Sequence, residues 1–143
     1  MSRLAILFVL ALGVAPAFAG SCEDFPIYSV RDMDGTQHAI VVSGKKIEST
    51  PSWTPGSGEP PLSLSDGISR ALAWAKKTYT RFDNVLIEDI EVRRYGCSSQ
   101  NRWCYLVAFA PVIEGSSVRG IGYFAAVLMD GTVIGPQKRN GSS

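Results

Sequence analysis

The sequence contains little histidine and cysteine, and it has no excess of charge of one sign. Its 143 residues include one His and three Cys, and 14 Lys and Arg stand against 13 Asp and Glu. So balanced a charge gives no basic field of the kind that binds nucleic acid. A single histidine leaves few routes to a histidine-dependent catalytic or metal site. We therefore expect no nucleic-acid partner, no metal and no cofactor.

Long apolar runs are also missing, except at the N-terminus. There, the stretch from Leu4 to Val14 follows Arg3 and precedes a small-x-small cleavage signal at residues 17–19. The stretch is shorter than the about 20 apolar residues that a membrane span needs. We expect residues 1–21 to be a cleaved signal peptide and the mature protein to be exported.

The cleavage site itself has two candidates, after Ala19 and before Cys22. Residues 18–22, Phe-Ala-Gly-Ser-Cys, resemble the lipobox of bacterial lipoproteins. In that family the enzyme cuts before the cysteine, which then carries the lipid. The resemblance implies a lipid anchor on Cys22, whereas cleavage after Ala19 implies ordinary export. We expect a periplasmic or secreted protein, or a membrane-anchored lipoprotein.

The other two cysteines, Cys97 and Cys104, enclose six residues between two runs that look like strands. Disulfides persist in an oxidising compartment, and this pair would close the neck of a hairpin loop. Closing so short a loop contributes about 2–3 kcal/mol. The alternative is a zinc site, for which this spacing without a nearby histidine is a poor match. We expect the disulfide, which leaves Cys22 unpaired for modification.

The N-terminal part of the mature chain reads as a hairpin followed by a loop. Two β-rich runs, 27–30 and 39–42, flank Asp34-Gly35, and an Asp-Gly pair between apolar runs is a strong hairpin signal. Residues 46–48 either form a second strand pairing or belong to a loop. Residues 50–61 hold four prolines and two glycines, which argues against regular structure.

The remainder reads as one helix and then strands. The helix begins at Ser65, a good N-cap, carries an apolar stripe as far as Phe82 and ends at residues 83–84. Alternation in the next strand slips near Glu88-Asp89, which predicts a bulge or bend there. The strands are expected at residues 85–95, 103–110, 121–129 and 133–134.

An amphipathic helix and an antiparallel sheet each have one apolar face, and laying the helix across the sheet buries both. We therefore expect a single α+β domain over residues 22–143. The polar tail from residue 137 is expected to fray.

This pattern resembles cystatin-like and PepSY-like domains, which lay one helix over an antiparallel meander. The resemblance is carried by the helix at 65–82, the strand at 103–107 and the closing segment 127–134 with its Asp-Gly turn. It implies an exported, non-enzymatic module that binds or inhibits another protein. The cystatin motif Gln-x-Val-x-Gly is absent, so inhibition of cysteine proteases is not implied.

Two groups of side chains are candidate partner-binding sites. A basic stripe that contains a tryptophan follows one side of the predicted helix, and a second group adjoins the predicted disulfide. A basic aromatic stripe suits an acidic partner or anionic headgroups. The alternative is a solvated basic face, with the tryptophan covering the edge of the sheet. The stripe is Arg70, Trp74, Lys77 and Arg81, and the second group is Arg102 and Trp103.

Signals of catalysis are weak. His38 lies on a hairpin strand with no nucleophile in a recognisable pairing. The sequence Asp32-x-Asp34-Gly35 lacks the later glycine and glutamate of a calcium loop. Asp89 and Glu91 share a strand face, which is either solvated or the acidic part of a hydrolase site.

We therefore expect a non-enzymatic module that acts on a protein partner in the bacterial cell envelope, in an immunity-like or inhibitor-like role. One alternative is a structural or assembly component of an envelope complex. A small hydrolase that uses acids and tyrosine is the other. The sequence leaves the oligomeric state open.

Overall fold

The described residues form two antiparallel sheets and two helices. The computed structural model describes residues 23–97, 100–118, 120 and 122–139. The expected signal peptide, its two cleavage sites and Cys22 lie outside them. In chain order the elements are β1 (Phe25–Arg31), β2 (Gln37–Val42), α1 (Gly44–Ser49), α2 (Leu64–Thr78), β3 (Asn84–Tyr95), β4 (Arg102–Ile113), β5 (Ser116–Ser117), β6 (Phe124–Leu128), β7 (Val133–Ile134) and β8 (Gln137–Arg139).

The elements are stacked in three layers. Sheet A has the strand order β1-β2-β8, and sheet B has the order β3-β4-β6-β7 with β5 beside β4. On one face of sheet B, Val107 and Val127 pack with Ala71 and Ala75 of α2. On the other face, the neighbouring residues of the same strands pack against β1, β2 and α1. One main helix on an antiparallel sheet confirms the predicted α+β class, and sheet A covers the second face.

Helix α2 begins and ends earlier than predicted. Its N-cap is Ser63, whose Oγ accepts a hydrogen bond from the Asp66 amide at 3.1 Å. The helix ends at Thr78, because Tyr79 leaves helical geometry with φ −100° and ψ 53°. The Tyr79 ring then packs edge-on against Tyr123 at 5.4 Å between centroids. The aromatic residues after the helix thus serve packing and do not extend it.

Residues 44–49 form a short helix that sequence patterns did not predict. Ser43 caps it by accepting a hydrogen bond from the Lys46 amide at 3.3 Å. Ile47 is fully buried. At the other end, Arg102 donates to the Ile47 carbonyl oxygen at 2.9 Å. Helix α1 therefore depends on a distant arginine that satisfies its last carbonyl groups.

The bulge predicted in the long strand is confirmed. The register of β3 against β4 shifts between Ile87 and Asp89. Because one extra residue is inserted there, Ile87 and Ile90 both pack on the helix side of sheet B. Asp89 and Glu91 lie on the opposite face, across from Ala108 and Leu106.

The expected fraying of the tail from residue 137 is wrong for its first three residues. Gln137–Arg139 form β8, which pairs antiparallel with β2 and places Lys138 opposite His38. An edge of β2 offers backbone donors and acceptors to any chain that reaches it, so a polar segment can pair there without a β-rich sequence. Residues 140–143 lie outside the described part.

The predicted Cys97–Cys104 disulfide is wrong, because Cys104 is a free and fully buried thiol. Strand register explains the error. The residue opposite Cys104 on β3 is Arg93, and the last pair of the hairpin is Tyr95 with Arg102. Cys97 therefore lies beyond the neck of the hairpin, while the Cys104 side chain belongs to the core between the sheets. Cys97 is disulfide-bonded, but not to Cys104.

Candidate functional site

Trp74 packs against the core and does not project outward with the basic residues of the predicted stripe. Its ring stacks on Phe109 at 6.2 Å and meets Tyr79 edge-on at 5.6 Å. It also lies so close to Gly135 that a Cβ there would come within 2.2 Å of the ring. Of its basic neighbours, Arg70 lies over Gly131, and Lys77 is exposed. The helix therefore presents separate cations and no tryptophan anchor.

Arg102 and Trp103 also have positions that the packing explains. Arg102 donates to backbone carbonyl oxygens of α1, at 2.9 Å to Ile47 and 3.4 Å to Glu48. Trp103 meets Trp53 edge-on at 6.5 Å. Its indole Nε1 is buried, and no hydrogen-bond partner for it exists among the described residues. This pair joins α1 and the proline-rich loop to sheet B.

A polar cleft of about 510 Å³ opens where sheet A meets the end of α2, and we call it the His38 cleft. It brings together residues from the first hairpin, from the end of α2 and the chain after it, from the segment before β6 and from β8. Its lining residues are Asp32, His38, Thr78, Tyr79, Thr80, Arg81, Gly122, Tyr123 and Lys138. Of the residues predicted to bind a partner, only Arg81 lies in this cleft.

A histidine–aspartate pair forms one wall of the His38 cleft. Asp32 Oδ2 lies 3.1 Å from His38 Nε2, and the histidine side chain is 14% exposed. The other side of the ring faces Gly122, where a Cβ would lie 3.4 Å from Nδ1. Gly122 has φ +105°, a conformation that favours glycine. The carboxylate and the glycine together fix the orientation of the imidazole.

Two cations border this pair. Lys138 is the register partner of His38, so the two side chains lie on the same face of sheet A. Arg81 comes from the turn after α2, and its Nη2 donates to the Tyr123 hydroxyl at 2.8 Å. Within the described part of the chain, neither cation forms an ion pair. Among the described residues, the lining therefore carries two positively charged donors and one carboxylate, Asp32, which contacts His38 and neither cation.

Tyr79 contributes a neutral hydroxyl. Burial, and next the proximity of Tyr123, raise the pKa of Tyr79 to about 12. The hydroxyl donates to the Gly122 carbonyl oxygen at 3.5 Å. At ordinary pH this tyrosine is therefore protonated and cannot act as a base.

The acidic pair Asp89 and Glu91 lines a neighbouring cleft of about 390 Å³. Arg93 holds the Glu91 carboxylate with two hydrogen bonds of 3.0 and 2.9 Å. Arg93 also lies 5.1 Å from the centre of the Tyr28 ring. Tyr123 lines both clefts. The ion pair of Glu91 with Arg93 lies within β3, and Arg93 in turn contacts Tyr28 of sheet A, so Glu91 supports a structural contact between the sheets.

The His38–Asp32 pair was missed by sequence reasoning, although the predicted hairpin contains its signal. Val30 pairs with His38, and Asp32 follows Val30 by two residues. Alternation therefore places His38 and Asp32 on one face as diagonal neighbours. Arg81, Gly122 and Lys138 are brought to the pair by tertiary structure, for which the sequence offered no local signal.

Comparisons with known proteins assign no family to the chain. No protein-family model, curated protein or solved structure matches it. Among the described residues, no group of three His, Cys, Asp or Glu side chains is placed to hold a metal ion. In the same residues, no helix has the length and apolar character of a membrane span.

Proposed function

We propose that the protein is an exported, non-enzymatic binding module that contacts a protein partner through the His38 cleft. The single observation that carries the proposal is the pair of cations, Arg81 and Lys138, which line an open cleft without an ion pair in the described residues. The N-terminal run of the sequence supports export. The resemblance to cystatin-like and PepSY-like domains supports an inhibitor-like or immunity-like role in the cell envelope.

The His38 cleft suits recognition better than the helix stripe does. Binding energy concentrates in aromatic and arginine side chains that are held in place before the partner arrives. Arg81 is held in this way, because it donates to Tyr123 and lies 4.7 Å from the centre of the Phe82 ring. Trp74 cannot supply an aromatic anchor, since its ring is enclosed by Phe109 and Tyr79.

Site-specific crosslinking tests the proposal. Thr80 lines the cleft and is exposed, so a photoreactive p-benzoylphenylalanine in its place would lie beside a bound partner. The matched control is the same replacement at Thr54, an exposed threonine of the proline-rich loop. We expect one dominant adduct in envelope extracts from position 80, none from position 54, and loss of that adduct on Arg81→Glu.

The outcomes separate the proposal from its alternatives. No adduct, or equal adducts from both positions, would contradict a binding site in the cleft. An adduct that co-purifies in fixed stoichiometry with one large assembly would favour the structural or assembly role. A partner captured reversibly as a single protein would favour an inhibitor-like or immunity-like role.

A second candidate function, hydrolysis, is favoured by the His38–Asp32 pair. A carboxylate that orients an imidazole is the arrangement by which a histidine acts as a general base toward water. This candidate rests on His38 and not on Asp89 and Glu91, because the Glu91 carboxylate is paired with Arg93. We would compare the wild type with His38→Gln on p-nitrophenyl acetate and p-nitrophenyl phosphate. Equal rates for the two proteins would contradict a catalytic role of His38.

A further inference from the structure

We infer that the His38 cleft recognises an oxyanion, a carboxylate or phosphate group, on the partner that it binds. This inference names the chemistry of the binding site and therefore rests on the proposed function. The cleft combines positive charge, hydroxyl donors and an oriented imidazole in one concave surface.

The donors come from two separate parts of the chain, the end of α2 with the turn after it and strand β8. Arg81 has five N–H donors, of which the described structure uses one, toward Tyr123. Lys138 has three donors and forms no hydrogen bond or ion pair within the described residues. Thr78 and Thr80 add hydroxyl groups to the lining. Hydrogen bonds from charged donors to an oxyanion are among the strongest in proteins.

The cations outnumber the carboxylates in the lining, where Arg81 and Lys138 stand against Asp32 alone. Asp32 Oδ2 is engaged by His38 at 3.1 Å. Asp34 lies at the exposed turn, outside the lining, and its Oδ1 accepts a hydrogen bond from the Thr36 amide at 2.8 Å. Hydrogen bonds from Thr36 lower the pKa of Asp34 first, and the charges of Lys138 and His38 lower it further. The field of Lys138 thus reaches the turn, while the cleft stays open to a ligand.

The neighbouring cleft directs an anion to the His38 side of Tyr123. Asp89 and Glu91 lie on the far side of that residue, with an apolar floor that includes Leu106 and Phe124. With Glu88, the lining holds three acids against the single cation Arg93, and this excess of negative charge would repel an oxyanion there. Of the two clefts, the His38 cleft is therefore the one that favours an anionic group.

Nuclear magnetic resonance can test the inference directly, because His38 is the only histidine of the chain. We would titrate the mature protein with inorganic phosphate and, separately, with succinate, at ionic strength held constant with sodium chloride. The imidazole proton resonances then report on the cleft alone. We expect a saturable shift with at least one of the two anions. Saturation by one anion identifies its class, phosphate or carboxylate.

Lys138→Gln should weaken the binding about tenfold, which corresponds to about 1.4 kcal/mol. The matched control is Arg139→Gln, an exposed cation on the same strand whose side chain points to the opposite face. The control should leave the affinity within about twofold. Thermal melting of both variants checks that each remains folded.

Three results would overturn the inference. These are no saturable shift with either anion, an equal loss of affinity in both variants, and an equal response to sodium chloride alone. Failure here is distinguishable from failure of the proposed function. A crosslinked partner at position 80 without anion binding would retain the binding module and reject oxyanion recognition. Anion binding without any crosslinked partner would retain oxyanion recognition by the cleft and reject the binding module.

Discussion

Replacing Gly135 by alanine should destabilise the protein through contact with Trp74. The new Cβ would lie 2.2 Å from Cζ2 and 2.8 Å from Cη2 of the indole ring, whereas carbon atoms in contact are about 3.5–4.0 Å apart. The ring cannot move aside freely, because Phe109 and Tyr79 pack against it. Gly135 has no positive φ, so contact alone accounts for the effect.

The expected cost is that of overpacking a core, about 1–3 kcal/mol in the free energy of unfolding. For a domain of this size that corresponds to a fall in Tm of roughly 4 to 12 °C. Denaturant titration followed by tryptophan fluorescence would measure the free energy of unfolding, and thermal melting followed by circular dichroism would measure Tm.

A double-mutant cycle with Trp74→Leu supplies the control. When the indole is absent, the added methyl group meets no ring, so Gly135→Ala should cost less than about 0.5 kcal/mol in that background. A coupling of about 1 kcal/mol or more would show that the two residues are in contact. An equal cost in both backgrounds, or no cost in the wild type, would refute the placement of Trp74 in the core. It would also restore Trp74 as a surface anchor.

Three further predictions concern single groups. Burial raises the pKa of the Cys104 thiol to about 12, so iodoacetamide at pH 8 should label Cys104 only after unfolding, and labelling of the native protein would contradict its burial. Cys97 is disulfide-bonded and Cys104 is free, which leaves Cys22 as the remaining cysteine of the chain. Peptide mapping under non-reducing conditions should therefore find Cys22 joined to Cys97. A thioether-linked lipid on Cys22 would contradict this prediction. Burial raises the pKa of Asp130, but hydrogen bonds from Lys46 and Thr132 outweigh it and the pKa is lowered overall. The contribution of the Asp130 carboxylate to stability is therefore present above about pH 4 and lost as the pH falls further. Asp130→Asn should consequently reduce the fall in Tm between about pH 5 and 2. Parallel curves of Tm against pH for the variant and the wild type would contradict this.

Local patterns determined the parts of the fold that the sequence could predict. The Asp34-Gly35 turn fixes the first hairpin, and Gly35 takes φ +88° there. The slip in alternation at Glu88 marked a bulge, because two isoleucines three residues apart reach one face only when a residue is inserted. Each of these two features depends only on residues that lie within a few positions of one another in the sequence.

Features that depend on distant partners were missed or misplaced. Helix α1 has six residues, too few to be stable alone, and its last carbonyl groups are satisfied by Arg102 more than fifty residues away. Strand β8 is polar throughout and exists because it reaches β2. The Cys97–Cys104 prediction failed because loop length does not give register, and register places Arg93 opposite Cys104.

The His38 cleft depends both on a local sequence pattern and on contacts between distant parts of the chain. This difference affects how the cleft comes to bind a ligand. The His38–Asp32 pair follows from the hairpin alone, since Asp32 directly follows β1 and lies diagonally across from His38 of β2. Lys138 joins the pair only when β8 has found its register on β2. Polar strands without apolar side chains gain little from burial, so an edge strand of three exposed residues is among the least stable parts of the fold. One of the two cations of the cleft, Lys138, is therefore held by one of the weakest pairings among the described elements. An anion that contacts Lys138 would bind only the paired state of β8 and would stabilise that pairing by RT ln(1 + L/Kd), where L is the free anion concentration.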